Sequence, residues 1–314
     1  MTCMDGVLLI DKPPGLTSHD VVAQVRHILH VRRVGHTGTL DPFATGMLVV
    51  MVGRATRLAQ FLSGLEKEYE AVIRLGYATA TGDLTGQRVS AQAGNAPGPW
   101  DKDQIEAALE SLRGEIDQVP PMYSAKKQAG RKLYELARQG QEVERQPVRV
   151  SIYKFEAIDS SGELLKDNLD GTFDLEVRVA CSAGTYVRTL AEDFGKRLNT
   201  GAHLVELRRT RVGDLPVDQA RTLTQVKEAL AEESLGTILY PPDDVLARLP
   251  FLDLNDDEVR RVRNGLDIRV EGHEWNDGER VRMRDHNLKL IAVGVFGAAK
   301  KCLHPAVVIG LEQL

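Results

Sequence analysis

Short apolar runs and amphipathic stretches alternate along the chain, and their periods predict different elements. Gly6–Asp11 (GVLLID) is a continuous apolar run of strand length that ends at the turn-forming Lys12-Pro13-Pro14-Gly15. Thr17 or Ser18 then caps a helix in which Val21, Val22, Val25, Ile28 and Leu29 recur at helical spacing. Met47–Val52 reads as a second buried strand, and Tyr69–Leu75 alternates, with Tyr69, Ala71, Ile73 and Leu75 on one face. Residues 91–100 are a loop by composition. After them Ile105, Ala108, Leu109 and Leu112 line one side of a helix stopped by Gly114. Phe173–Val179 alternates again, and Thr185–Leu198 is helical with Val187, Leu190, Ala191 and Phe194 turned inward. Beyond a break at Pro241-Pro242, short strands at 281–284, 288–295 and 306–309 form a small β-rich module. Strands and helices mix without regular βαβ alternation, which predicts an α+β body with a largely antiparallel mixed sheet flanked by helices.

Length and composition narrow this picture. A chain of 314 residues exceeds one ordinary core, so a large domain over 1–245 and a small one over 248–314 are expected. A hydrophobic fraction of 42% and a charged fraction of 27% fit a globular protein and exclude disorder. No apolar run approaches the ~20 residues of a membrane span. The first residues lack the basic and apolar regions of a signal peptide, so a cytoplasmic location is expected. Cys3, Cys181 and Cys302 stand far apart and read as unrelated reduced thiols, with no support for a metal site. The net charge of -5 is unusual for a nucleic-acid binder, but it is unevenly spread. Residues 121–150 carry seven Lys/Arg against three Glu, and 260–301 carry ten against six acids. Basic faces opposed by acidic ones suit a polyanionic partner as well as a mixed solvated surface.

The densest segment chemically is Gly35–Gly46, GHTGTLDPFATG, with three glycines and a proline. Such a loop between a basic stretch and a buried strand is a natural seat for a catalytic group. Pro42 restricts Asp41 to extended backbone and so fixes where its carboxylate can point. On local composition alone, Asp-Pro in this setting is more often just an ordinary turn.

The whole dodecamer resembles the catalytic motif of the TruB family, the bacterial tRNA pseudouridine-55 synthases. Further matches follow in order: Lys12-Pro13-Pro14-Gly15; Lys67-Glu68-Tyr69 leading to Arg74-Leu75-Gly76; Val119–Ala125; Gly184–Thr189; and Gly201-Ala202-His203 with Leu207-Arg208-Arg209. The resemblance covers about residues 6–245. It implies a pseudouridine-synthase core that detaches uracil from ribose C1′ and rejoins it through C5. Asp41 is then the nucleophile, attacking either uracil C6 or ribose C1′. Arg188 holds Asp41 as a bidentate partner and keeps it ionised. Tyr69 stacks on the base and is a candidate for proton transfer at C5. The resemblance also gives substrate contacts to His36, Leu207, Lys12, Tyr186, Lys126, Lys127, Arg131, Lys132 and Arg208. His36 fills space left by flipped nucleotides, and Leu207 forms an apolar wall. Residues 119–150, basic and carrying Tyr123 and Tyr134, match the family's insertion that clamps the T arm, and are expected to be mobile without RNA. Asp83, after Thr79 and Thr81, reads as part of a loop-ordering turn near the site. The C-terminal module resembles an RNA-binding PUA domain less tightly. No organic cofactor or metal, no membrane, no obligatory protein partner and a monomer are expected. A tRNA-folding chaperone, or a related synthase acting on another RNA, is the alternative.

Overall fold

The computed structural model describes residues 4–89, 98–124, 127–128, 131–132, 141, 143–159 and 162–309. One large sheet runs in the order Leu239–Tyr240, Gly6–Lys12, Thr45–Val52, Ala202–Val212, Lys67–Leu75, Phe173–Cys181, Val148–Ala157 and Gly114–Gln118. Every pairing along this path is antiparallel except that between Thr45–Val52 and Ala202–Val212. That parallel contact, with Arg208 opposite Thr45 and Arg209 opposite Gly46, joins the two halves of the sheet.

The predicted elements are present, with shifted ends. Thr17 caps the helix Ser18–Leu29, and Asp20 closes a capping box with it. In Lys67–Leu75 buried and half-buried residues alternate without a break, as a period of two requires. The helix Val187–Arg197 starts two residues later than its apolar spacing implied. It packs Leu190, Ala191 and Phe194 against the sheet with no exposed surface. Burial of a side chain the size of Leu or Phe contributes ~1.5–3 kcal/mol, so this helix is anchored firmly beside the junction.

The two sheet halves are covered differently. Helices Ser18–Leu29 and Leu223–Ala231 bury Leu8, Ile10, Leu48 and Val50 on one face of the first half. Its other face, with Val7, Leu9, Met47 and Met51, shares a core with Val245, Leu246, Leu290, Val293, Val307 and Ile309. The C-terminal residues also form their own sheet, Phe251–Asp253, Arg280–Arg284, Leu290–Gly297, Cys302–Val308 and Ile268–Arg269. The β-rich module is therefore docked on the main sheet by apolar packing. Asp243 of the connecting segment adds a largely buried ion pair with Arg282 at 2.6 Å. Among the described residues, no helix is long and apolar enough to cross a membrane.

At the junction, Gly46 has a φ of +97°, and a Cβ there would lie 2.3 Å from the backbone oxygen of Arg209. Gly46→Ala is expected to cost about 3 kcal/mol or more through clash and a left-handed backbone. A urea unfolding midpoint unchanged from wild type would contradict this.

Of the basic insertion, Lys127–Gln128 and Arg131–Lys132 pair as a short antiparallel ladder. Lys126, Tyr134 and Arg138 fall outside the described residues, as does most of the loop expected at 91–100. The expected mobility of 119–150 likewise falls in large part outside them.

Candidate active site

A cleft of about 270 Å³ opens at the sheet junction, lined among others by Asp41, Tyr69, Tyr186, Arg188, Leu207 and Arg209. Its volume lies near the lower end for small-ligand pockets, ~300 Å³ and above.

The loop carrying Asp41 is clamped on both sides. The buried Ser18 hydroxyl accepts from the Leu40 amide at 2.9 Å and donates to the Leu40 carbonyl at 3.2 Å. On the other side the Gly15 amide donates to Pro42 O at 2.8 Å. Lys12 Nζ donates to the carbonyls of Pro13, Leu16 and Pro42 at 2.8, 2.8 and 3.2 Å. Lys12 is wholly buried, and burial lowers its pKa to about 8. The expectation that Lys12 touches substrate is therefore corrected: its three donors are spent on bracing the Asp41 loop.

Arg188 is the second residue of its helix. Its Nη2 donates to Asp41 Oδ1 at 3.1 Å, and its Nε lies 2.9 Å from Oδ2. The Nε contact is too far off the N–H axis to be a hydrogen bond, so the pair is one hydrogen bond plus a close ion contact. Nη1 donates to Thr81 O at 2.8 Å and Nη2 also to Tyr123 O at 2.7 Å. Asp83 Oδ2 lies 3.7 Å from Nη1. The other oxygen of Asp83 accepts from Thr81 Oγ1, Thr85 N and Thr85 Oγ1 at 2.7, 2.9 and 2.6 Å. The turn expected around Asp83 is thus a buried acidic support for Arg188. The hairpin carrying it is held from behind by His203, whose ring lies 4.6 Å from that of Tyr77.

The Arg188 side chain is 4% exposed and that of Asp41 33%. Asp41 remains open to the cleft while its counter-ion is enclosed. Burial pushes the Asp41 carboxyl above its ordinary value, and the Asp83 carboxylate adds to this. Arg188 and Lys12 pull against it without reversing it.

Tyr69 sits directly across from Arg209 on the neighbouring strand. Burial raises the pKa of its phenol, so the resting group is protonated, while the nearby Arg209 guanidinium pulls the other way. Tyr186 precedes the helix, and its backbone is held at both ends by the buried Gln118. The Gln118 side chain accepts from Tyr186 N at 2.8 Å and donates to Tyr186 O at 3.1 Å. This contact explains why the helix begins only at Val187.

Leu207 and Arg209 face the cleft from Ala202–Val212. Strand pleating turns the intervening Arg208 to the opposite face, where it pairs with Asp11 at 2.8 Å. Arg208 thus stands outside the cleft with a partly exposed side chain, and the residue that faces inward is Arg209. His36 lies outside the cleft lining, its ring 5.3 Å from that of His19, and burial lowers its pKa to about 4. Lys67 and Arg209 form part of the cleft and Ser18 and Gln118 brace it, functional roles that the sequence does not signal. Lysine and arginine are usually exposed, so composition gave no sign of their burial.

The family model described as TruB family pseudouridylate synthase (N terminal domain) matches residues 26–187. A second, the tRNA pseudouridylate synthase B C-terminal domain, matches 188–247. The chain belongs to the TruB family. Curated relatives named tRNA pseudouridine synthase B include those of Geobacillus kaustophilus, 45% identical over 85% of this chain and 92% of the relative. The relative from Solibacter usitatus is 40% identical over 98% and 100%, so it spans the β-rich module too. Among solved structures, a Cbf5-Nop10-Gar1 complex matches with a TM-score of 0.74 and 28% identity, covering 97% of this chain and 84% of the other. An H/ACA RNP bound to a substrate RNA containing 2′-deoxyuridine matches with 0.72 and 26%, covering 98% and 85%. The boundary between the two TruB models falls between Val187 and Arg188. The cleft is therefore assembled from both, with Asp41, Tyr69 and Tyr186 from the first and Arg188, Leu207 and Arg209 from the second.

Proposed function

We propose that the protein isomerises uridine 55 in the T loop of tRNA to pseudouridine, with Asp41 as nucleophile. The observation that carries this reading is an accessible carboxylate fixed on an enclosed arginine, in a base-sized cleft walled by Tyr69, Tyr186 and Leu207. A uracil cannot reach Asp41 while stacked in RNA, so the nucleotide is flipped, at a cost of a few kcal/mol. The aromatic and apolar walls offset part of that cost by taking the base between them. His36, neutral and close to the Asp41 loop, fills space left in the RNA.

The reaction leaves the composition of RNA unchanged. The N1–C1′ bond breaks, the C5–C1′ bond forms, the proton at C5 leaves and N1 gains one. Asp41 supplies the transient covalent partner, and no organic cofactor or metal is required. As a protonated phenol at rest, Tyr69 serves first as a stacking surface. In this reading residues 1–245 are the catalytic unit. Within it 119–150 is the clamp, with Lys126, Lys127, Arg131 and Lys132 on the T arm. Residues 248–314 are an RNA-binding module of PUA type, and the protein works as a cytoplasmic monomer.

The test is incubation of the pure protein, in EDTA, with an unmodified tRNA transcript, followed by mapping of pseudouridine. Product at position 55 is expected. Binding and refolding of tRNA without any pseudouridine would replace this reading with the chaperone one.

A further inference from the structure

Three buried cations gather behind the cleft. Lys12, Lys67 and Arg209 are 0, 6 and 1% exposed. Among the described residues, none of them has a carboxylate within salt-bridge distance. Buried charges are normally paired, and leaving one unpaired is strongly unfavourable. Lys12 is accounted for by its three carbonyl bonds. Lys67 and Arg209 are satisfied only in part, by two carbonyl bonds each, and both line the cleft.

Their placement is specific. A methyl group on Gly38, three residues before Asp41, would lie 3.4 Å from Arg209 Nη1 and 3.6 Å from Lys67 Cε. Both cations therefore flank the nucleophile loop. Lys67 Nζ donates to Ser63 O and Leu65 O at 2.8 and 2.5 Å, which leaves one of its three donors. Arg209 is oriented by donation to Met47 O and Gly38 O at 2.7 and 2.8 Å. Neighbouring acids do not neutralise them. Burial keeps the Cys181 thiol protonated, with a pKa of about 11, and raises that of the Tyr69 phenol. Asp41 is engaged by Arg188. Together they present uncompensated positive charge to the cleft, which favours an anion there.

The reaction proposed above generates one, and the inference rests on that reading. When N1–C1′ breaks, its electron pair stays with the base and spreads over N1, O2 and O4. If Asp41 instead adds first at C6, charge moves to O4. On either route the uracil becomes anionic before C5 bonds to C1′; the charge is discharged as its electron pair forms the C5–C1′ bond, and a proton then leaves C5 while N1 gains one. We propose that Lys67 and Arg209 stabilise this transient uracil anion, serving as the electrostatic counterpart of the base while Asp41 serves the sugar or C6. Fixed cations in an enclosed site need no reorganisation as the charge appears, and so favour the transition state over the ground state.

The experiment compares Lys67→Met and Lys67→Arg with wild type in single-turnover reactions at saturating tRNA. Lys67→Met is expected to slow the reaction by about 10²- to 10³-fold, as loss of one charge-stabilising group does, with little change in tRNA Kd. Lys67→Arg should recover much of the rate. A transcript carrying 5-fluorouridine at the target gives a base that bears negative charge more readily. On it, the deficit of Lys67→Met, read as disappearance of the 5-fluorouridine nucleoside, should shrink at least several-fold. Burial places the Lys67 pKa at about 8, so wild-type rate should fall as pH rises through that value. Lys67→Arg should move that fall to higher pH. An equal deficit on uridine and 5-fluorouridine, with no rescue by arginine, would overturn the proposal and leave Lys67 a structural residue. Absence of pseudouridine from the wild-type reaction would instead defeat the functional reading.

Discussion

Asp41→Asn is expected to abolish pseudouridine formation, by about 10⁴-fold or more, while tRNA affinity changes little. Asparagine has nearly the shape of aspartate, so the clamps on Leu40 and Pro42 remain and the loop should keep its course. What disappears is the anionic oxygen able to form and release a covalent bond. Affinity should persist because phosphate contacts, spread over a far larger surface, dominate RNA binding. The measurement is product mapping alongside filter binding of the same preparation. Equal product from Asp41→Asn and wild type would sink the nucleophile assignment. Loss of binding together with activity would make Asp41 structural.

The second large effect concerns Arg188. Arg188→Lys retains the charge but cannot at once reach Asp41, Thr81 O, Tyr123 O and Asp83. Breaking a buried pair costs roughly 3–5 kcal/mol when a partner is removed, so a rate loss on the order of 10²- to 10³-fold is expected for this milder change. The pH profile separates positioning from mere folding. To act as a nucleophile Asp41 must be ionised, and burial already raises its pKa above the ordinary 3.8. Activity should therefore fall, as pH drops, at a higher pH than for a free carboxylate. Arg188→Met removes a group that lowers this pKa, so the acid limb should move further upward. An acid limb that stays in place in a folded Arg188→Met protein would show that Arg188 does not tune Asp41.

The sheet was legible wherever the residue pattern carried its own period. Tyr69–Leu75 shows every second residue apolar, and only one face can then be buried. The same arithmetic on Leu207-Arg208-Arg209 puts Leu207 and Arg209 on one face and Arg208 on the other. The start of the helix at Val187 was hidden because it depends on Gln118, 68 residues away. Lys12 was misread for a different reason. A lysine beside two prolines gives no sign that three backbone carbonyls, one of them 30 residues distant, converge on its ammonium. Asp41 and Arg188 were found through their motifs, since nothing local ties two residues 147 positions apart. What the motifs could not convey is the balance at the site, where burial outweighs the arginine and the carboxyl rises in pKa.

The apolar docking of the C-terminal module bears on how such a chain can change over time. Val7, Leu9, Met47 and Met51 are covered by Val245, Leu246, Leu290, Val293, Val307 and Ile309. A descendant that lost the module, or exchanged it for another, would present that apolar sheet face to water and invite aggregation. It would have to acquire polar substitutions on the strand that leads directly into the Lys12 brace. The module is thus tied to the loop that carries Asp41 by the order in which mutations could be tolerated, and its gain or loss should leave a trace in Gly6–Lys12.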